Sequence, residues 1–156
     1  MSTKARVLVV ANRTVDSSEL VAALRQRATR SPASFTLLVP AVPRGLSWAG
    51  DMKAGGPEAE LRAEKGAHHM RSCGLEIEAA TVGDPDPLAA VGDALLTDRF
   101  DEVVVATLPH GVSHWLRLSL PQRLRRLTDL PVLHVTAHPR HVRRGSRPRE
   151  LAGVSS

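Results

Sequence analysis

The chain has no tyrosine, only two tryptophans and two phenylalanines, and a single cysteine among 156 residues. Each shortage excludes something. With Cys73 alone, no intrachain disulfide can form and no cysteine-rich zinc framework can assemble. That thiol reads as a small buried hydrophobe or as a free reactive group, and a lone cysteine suits a reducing compartment. So few aromatics leave no stacking platform of the kind that reads single-stranded nucleic acid. No apolar run approaches the roughly 18 residues a membrane helix needs. The opening run is too short for a signal peptide and is broken at Asn12 and Arg13. The expectation is a soluble cytoplasmic protein that does not engage a membrane.

Catalytic and metal patterns are equally sparse. Ser113 and His114 are neighbours, but the G-x-S-x-G turn of a nucleophile elbow is absent. There is no P-loop, no evident set of metal-binding carboxylates and no general base. His68 and His69 are adjacent and diverge around a helix, while His138 and His141 lie near the C-terminus without cysteine or carboxylate partners at zinc spacing. The reading is a protein that is not an enzyme, with no catalytic residue and no metal site.

Acidic residues are scarce in one region. Residues 138–156 carry Arg140, Arg143, Arg144, Arg147 and Arg149 against Glu150, a net of +4 out of the chain's +5. The remaining 137 residues are close to neutral. The basic character therefore belongs to an appendage, which lacks apolar periodicity and is expected to be disordered. Nucleic acid is a candidate partner only through this segment, by salt-sensitive contact with phosphates.

What is present is an alternation of aliphatic strands and amphipathic helices. Arg6–Ala11 (RVLVVA) reads as a strand buried on both faces, the first and central one. Asp16-Ser-Ser-Glu19 reads as a capping box opening a helix over 17–29, with Leu20, Val21, Leu24 and Ala28 as its apolar face. A second strand over 34–39 leads into a long loop around Trp48. A second helix over 57–72, with a thin apolar face, ends at Gly74. A third strand over 75–82 precedes Asp86-Pro87, a cap and first-turn proline for a helix whose stripe is Leu88, Val91, Leu95 and Phe100. Strands over 102–107 and 131–136 follow, with a helix between them from about Leu120. The pattern predicts a single α/β domain over 1–137 with a mainly parallel sheet and helices on both faces.

The opening RVLVVANRTVDSSELVAAL, the GDPDPLAAV at Gly83–Val91, the strand EVVVAT and the closing SLPQRLRRLTDLPVLHV together resemble the universal stress protein family over about residues 5–136. The resemblance implies a doubly wound five-stranded parallel sheet in the order 3-2-1-4-5. It also implies a homodimer paired through strand five and, in part of the family, ATP held between strands one and four. The ATP-binding branch carries Gly, two residues, Gly, nine residues, then Gly followed by Ser or Thr. Here those glycines fall near Val105 or Ala106, near Leu108 or Pro109, and on Leu118; only Ser119 agrees. The acidic residue that is common after strand one is replaced by Ala11, Asn12 and Arg13.

Two readings of the site stay open. In one, the helix begun by the capping box Ser119-Leu-Pro-Gln122 points free amides at an anion. Ala11, Asn12, Arg13, Thr107, Gly111, Arg117 and Ser119 would bind ATP, another nucleotide or another anionic metabolite, His110 and His114 could reach it, and Trp48 and Trp115 would frame the pocket. In the other, Ser119 merely caps its own helix, Trp115 packs beneath Leu116 and Leu120, and Arg117, Arg123, Arg125 and Arg126 form a solvated face. The protein is then an interaction module for protein, RNA or ribosome with no small-molecule ligand, using the dimer surface and the arginine-rich segment. No resident cofactor follows from either.

Overall fold

The computed structural model describes residues 3–41, 55–109, 111 and 113–138. Five strands, β1 (Ala5–Val10), β2 (Ala33–Pro40), β3 (Ile77–Gly83), β4 (Glu102–Thr107) and β5 (Val132–Thr136), form one sheet. Successive strand side chains point to opposite faces. Val7 and Val9 of β1 therefore enter one hydrophobic cluster, while Leu8 and Val10 enter another. A strand apolar on both faces has no side to give to water and settles in the middle of a sheet. The order is β3-β2-β1-β4-β5, with every pairing parallel, as the resemblance implied.

Parallel neighbours require crossovers, and these place helices on both faces. On one face, α1 (Ser18–Arg30) contributes Leu20, Val21 and Leu24, and α2 (Gly55–Ser72) contributes Ala59, Ala63, Ala67 and Met70. On the other, α3 (Pro87–Thr97) brings Ala90 and Val91, and α5 (Leu120–Leu127) brings Leu120 and Leu124. Each fully buried leucine or phenylalanine, such as Leu24 or Phe35, contributes about 1.5–3 kcal/mol. The thin face of α2 is real: it is built mainly from alanines.

Polar groups fix how the layers meet. Arg27 on α1 is 6% exposed and grips Glu102, the first residue of β4, through Nε to Oε2 at 2.8 Å and Nη2 to Oε1 at 2.7 Å. Its Nη1 also donates to the Ser31 hydroxyl at 3.0 Å. The hydrogen bonds to Glu102 raise the guanidinium's pKa above its ordinary value. At the amino edge of the sheet, Arg6 donates to both Asp98 carboxylate oxygens at 2.7 and 2.8 Å and to the Arg99 carbonyl at 2.9 Å. It also lies 5.3 Å from the centre of the Phe100 ring. The Arg6 hydrogen bonds, helped by the Arg99 backbone N–H, bring the Asp98 carboxyl down to about 2.

Several local expectations shift. The cap of α1 is Ser17, whose hydroxyl accepts from Leu20 N at 3.2 Å, rather than Asp16. Asp86 does cap α3, accepting from Leu88 N at 3.0 Å. However, α3 stops at Thr97, so Phe100 reaches the core from the following turn instead of completing a helical stripe. Leu75 is buried ahead of β3, not within it. A four-residue helix, α4 (His114–Arg117), sits between β4 and α5 where only a loop was expected. The basic segment 139–156, expected to be disordered, lies outside the described residues.

Candidate functional site

Parallel strands send all their forward connections to one edge of the sheet. Where the chain turns left to β2 from β1 but right to β5 from β4, those connections diverge and leave a crevice. Between β1 and β4 a crevice of about 630 Å³ opens at this edge, inside the range of roughly 300–1,000 Å³ usual for small-molecule sites. Its floor is Ala106 and Thr107 at the end of β4. Asn12, Arg13 and Thr14 form the wall after β1; Pro40 and Ala41 close the β2 side, and Pro85, Asp86 and Pro87 the β3–α3 side. Leu108, Ser113, His114, Trp115 and Leu118 make the remaining wall.

The turn after β1 is held by its own backbone, with Val15 N on the Asn12 carbonyl at 3.4 Å and Ser17 N on the Thr14 carbonyl at 3.0 Å. The buried Thr14 hydroxyl donates to the Ala106 carbonyl at 3.3 Å and so ties this turn to β4. Arg62 of α2 donates to the Asn12 amide oxygen. Arg13 is exposed at the rim and has no ion pair among the described residues. Thr107 is buried, and its hydroxyl lies 2.7 Å from His134 Nε2 on β5. Burial, with a smaller push from the Arg125 charge, lowers the pKa of His134. A neutral imidazole has one acceptor nitrogen, which the Thr107 hydroxyl can fill.

The loop after β4 differs most from expectation. Gly111 turns the chain at φ +92°, and Ser113 N closes the turn onto the Pro109 carbonyl at 3.1 Å. The helix cap is Ser113, whose hydroxyl accepts from Leu116 N at 3.1 Å to start α4. Ser119 makes no side-chain cap bond, which corrects the capping-box reading. The physical reason is that α4 ends there. Ser119 N bonds the Leu116 carbonyl at 3.0 Å and the residue sits at φ 54°, ψ 39°, left-handed, whereas a side-chain cap needs an extended backbone.

Asn12, Arg13, Thr107 and Trp115 thus come together around the crevice. Ala11 is fully buried in the core cluster beneath it. Gly111, Arg117 and Ser119 are exposed and do not line it. Trp115 takes part in both of its alternatives, lining the crevice while packing against the cluster that holds Leu120. Trp48 and His110 lie outside the described residues. Sequence reasoning missed Ser113 because the spacing of the glycine signature drew attention to Ser119. It passed over Pro40, Asp86 and Pro87 as wall residues, although every strand-to-helix turn in this topology must reach the same edge. Among the described residues no group of three His, Cys, Asp or Glu could hold a metal ion, and no helix is long and apolar enough to cross a membrane.

No protein-family model matches the chain, and no curated protein matches it by sequence. Solved structures do match it by fold. A universal stress protein crystallised in complex with cAMP is 20% identical, with 88% of this chain and 100% of that one covered and a TM-score of 0.54. A universal stress protein family protein from Arabidopsis thaliana with AMP bound is 18% identical over 86% of this chain and 92% of that one, with a TM-score of 0.56. A universal stress protein from Archaeoglobus fulgidus is 12% identical over 85% and 93%, with a TM-score of 0.58. The chain has the α/β fold of universal stress proteins.

Two predictions follow from the site's construction. Ser113→Ala should cost about 1 kcal/mol of unfolding free energy by losing a cap, whereas Ser119→Ala should cost well under half of that. Urea denaturation measures both, and equal losses would contradict the assignment of the cap. For His134, the folded-state value lies below the ordinary 6.5, so on acidification the unfolded chain protonates first. The imidazole therefore costs nothing above that value and removes stability as the pH falls through and below it, until the folded-state value is passed. His134→Gln should flatten the fall in melting temperature between about pH 7.5 and about pH 5. Identical profiles would mean that His134 titrates alike in both states.

Proposed function

We propose that this chain with a universal stress protein fold is a regulatory ligand-binding module whose carboxy-edge crevice takes an adenine nucleotide or a chemically similar anionic metabolite. One observation carries the reading: a crevice of about 630 Å³ at the β1–β4 divergence, with proline, leucine and tryptophan walls and, at the rim, an arginine that has no ion pair among the described residues. Trp115, Leu118, Pro40 and Pro87 offer flat apolar surface to a ring system. Arg13 offers one positive charge to an acidic group. Two proteins of this fold were solved with cAMP and AMP, which supports the ligand class.

The bulky residues after β4 set the expected strength. Glycines let backbone amides approach phosphates closely, and leucine and proline at those positions withdraw that contact. Binding is therefore expected to be weak, with a dissociation constant on the order of 10 μM to 1 mM. Calorimetry with adenosine, AMP, cAMP and ATP tests this. Trp115→Ala should weaken every ligand about tenfold, corresponding to about 1.4 kcal/mol. Silence across the panel, or an unaffected Trp115→Ala, would remove the reading.

A second feature bears on assembly. β5 is an edge strand that carries Leu133 47% exposed, and an unpaired edge with an apolar side chain is a ready surface for a second copy. The chain is read as a homodimer paired through this edge. Sedimentation should show a dimer that Leu133→Glu converts to monomer; a monomer at about 100 μM, a concentration that would populate even a weak dimer, would exclude it.

A further inference from the structure

The crevice between β1 and β4 holds little that could neutralise a phosphate. Most of its polar side chains are already engaged: Ser113 and Asp86 cap helices, Thr107 pairs with His134, Thr14 donates to the Ala106 carbonyl and the Asn12 oxygen accepts from Arg62, while the exposed His114 on the β4 side has no such partner among the described residues. On the β4 side, Leu108, Trp115 and Leu118 present apolar surface. Arg13, a cation with no ion pair among the described residues, stands on the opposite wall.

Arg13 also lines a second crevice, of about 510 Å³, between the β1–α1 turn and α2. Here α2 places Arg62, Lys65 and His69 along one face, the three- and four-residue spacing of helix neighbours. Gly66, on the same face, sets the width. A Cβ there would lie 3.0 Å from Val15 Cβ, so a residue without one lets α2 approach the turn closely. Three permanent cations face two carboxylates, Asp16 and Glu58, with Glu58 at 3.9 Å from Arg62 Nη2. Lys65 has no ion pair among the described residues. Because Arg62 reaches the Asn12 side chain, a wall of the first crevice, the two cavities adjoin at residues 12 and 13.

We propose that a nucleoside phosphate spans both cavities, its base in the first and its phosphate drawn past Arg13 into the second, against Arg62 and Lys65. This rests on the nucleotide reading above and gives it a direction: the anion leaves toward α2, away from the loop after β4. The positive charge that glycine amides supply in a phosphate loop is supplied here by side chains across the turn after β1.

The test is amide NMR on the full chain with adenosine, AMP and pyrophosphate. Shifts caused by AMP beyond those caused by adenosine should fall on Arg62, Lys65, Gly66 and His69. AMP should bind about tenfold more tightly than adenosine, and Lys65→Gln, at an exposed position with no ion pair among the described residues, should reduce that preference about threefold while leaving adenosine unchanged. If the additional AMP shifts fall on Gly111 and Ser113–Leu116 instead, or if Lys65→Gln leaves the preference intact, the inference is overturned. If adenosine shifts nothing, the nucleotide reading fails. Pyrophosphate then decides the anion site alone: shifts on α2 that vanish in Lys65→Gln sustain it, and their absence overturns it.

Discussion

The pairing of β1 with β4 is the constraint on which the rest of the molecule depends. β1 is apolar on both faces, so it must lie inside the sheet, and the strands added after it must build outward on either side. That single requirement opens the crevice, because the connections after β1 and β4 leave the same edge and turn apart. The Arg27–Glu102 pair locks α1 to the first residue of β4 at the far end of the same pairing. The pair is only partly buried, with the Glu102 side chain 26% exposed, so its loss should cost less than the roughly 3–5 kcal/mol of a fully buried pair while still loosening the docking of β4. The crevice and its brace are thus two ends of one element.

How much of this was legible in the sequence differs by scale. The strands were plain, because runs such as RVLVVA and EVVVAT have no other stable use than burial between two helix layers. Helix faces were plain where leucine and valine recur, as at Leu20, Val21 and Leu24. The details that failed are those decided by a neighbour in space or by the next element in the chain. Ser119 has a good sequence for a cap, but the four-residue helix before it needs a left-handed residue to end on, and that requirement wins. Phe100 fits a helical spacing, yet Asp98 turns away to meet Arg6, and the ring follows. The second crevice was invisible in the spacing of residues, since Arg62, Lys65 and His69 look like an ordinary solvated face until Gly66 draws α2 against Val15.

The two sides of the crevice differ in chemistry. After β4, Leu108, Trp115 and Leu118 give the crevice an apolar wall. Across from it stand Asn12 and Arg13, and Arg13 places positive charge on a residue that lines both cavities. One wall of the crevice is thus apolar and the other carries a cation.

The segment from Gly111 to Ser119 has one more consequence. Both of its ends turn on left-handed residues, and α4 between them contributes no fully buried side chain, although Trp115 leans on the core. Neither hydrophobic layer relies on it for its strands or its long helices. Changes at its exposed lining positions, His114 and Leu118, should cost folding little while altering the crevice wall, whereas Ser113 is held by its capping role. The outer wall of the crevice and the packing of the sheet thus rest largely on different residues, so one can be reshaped without rebuilding the other.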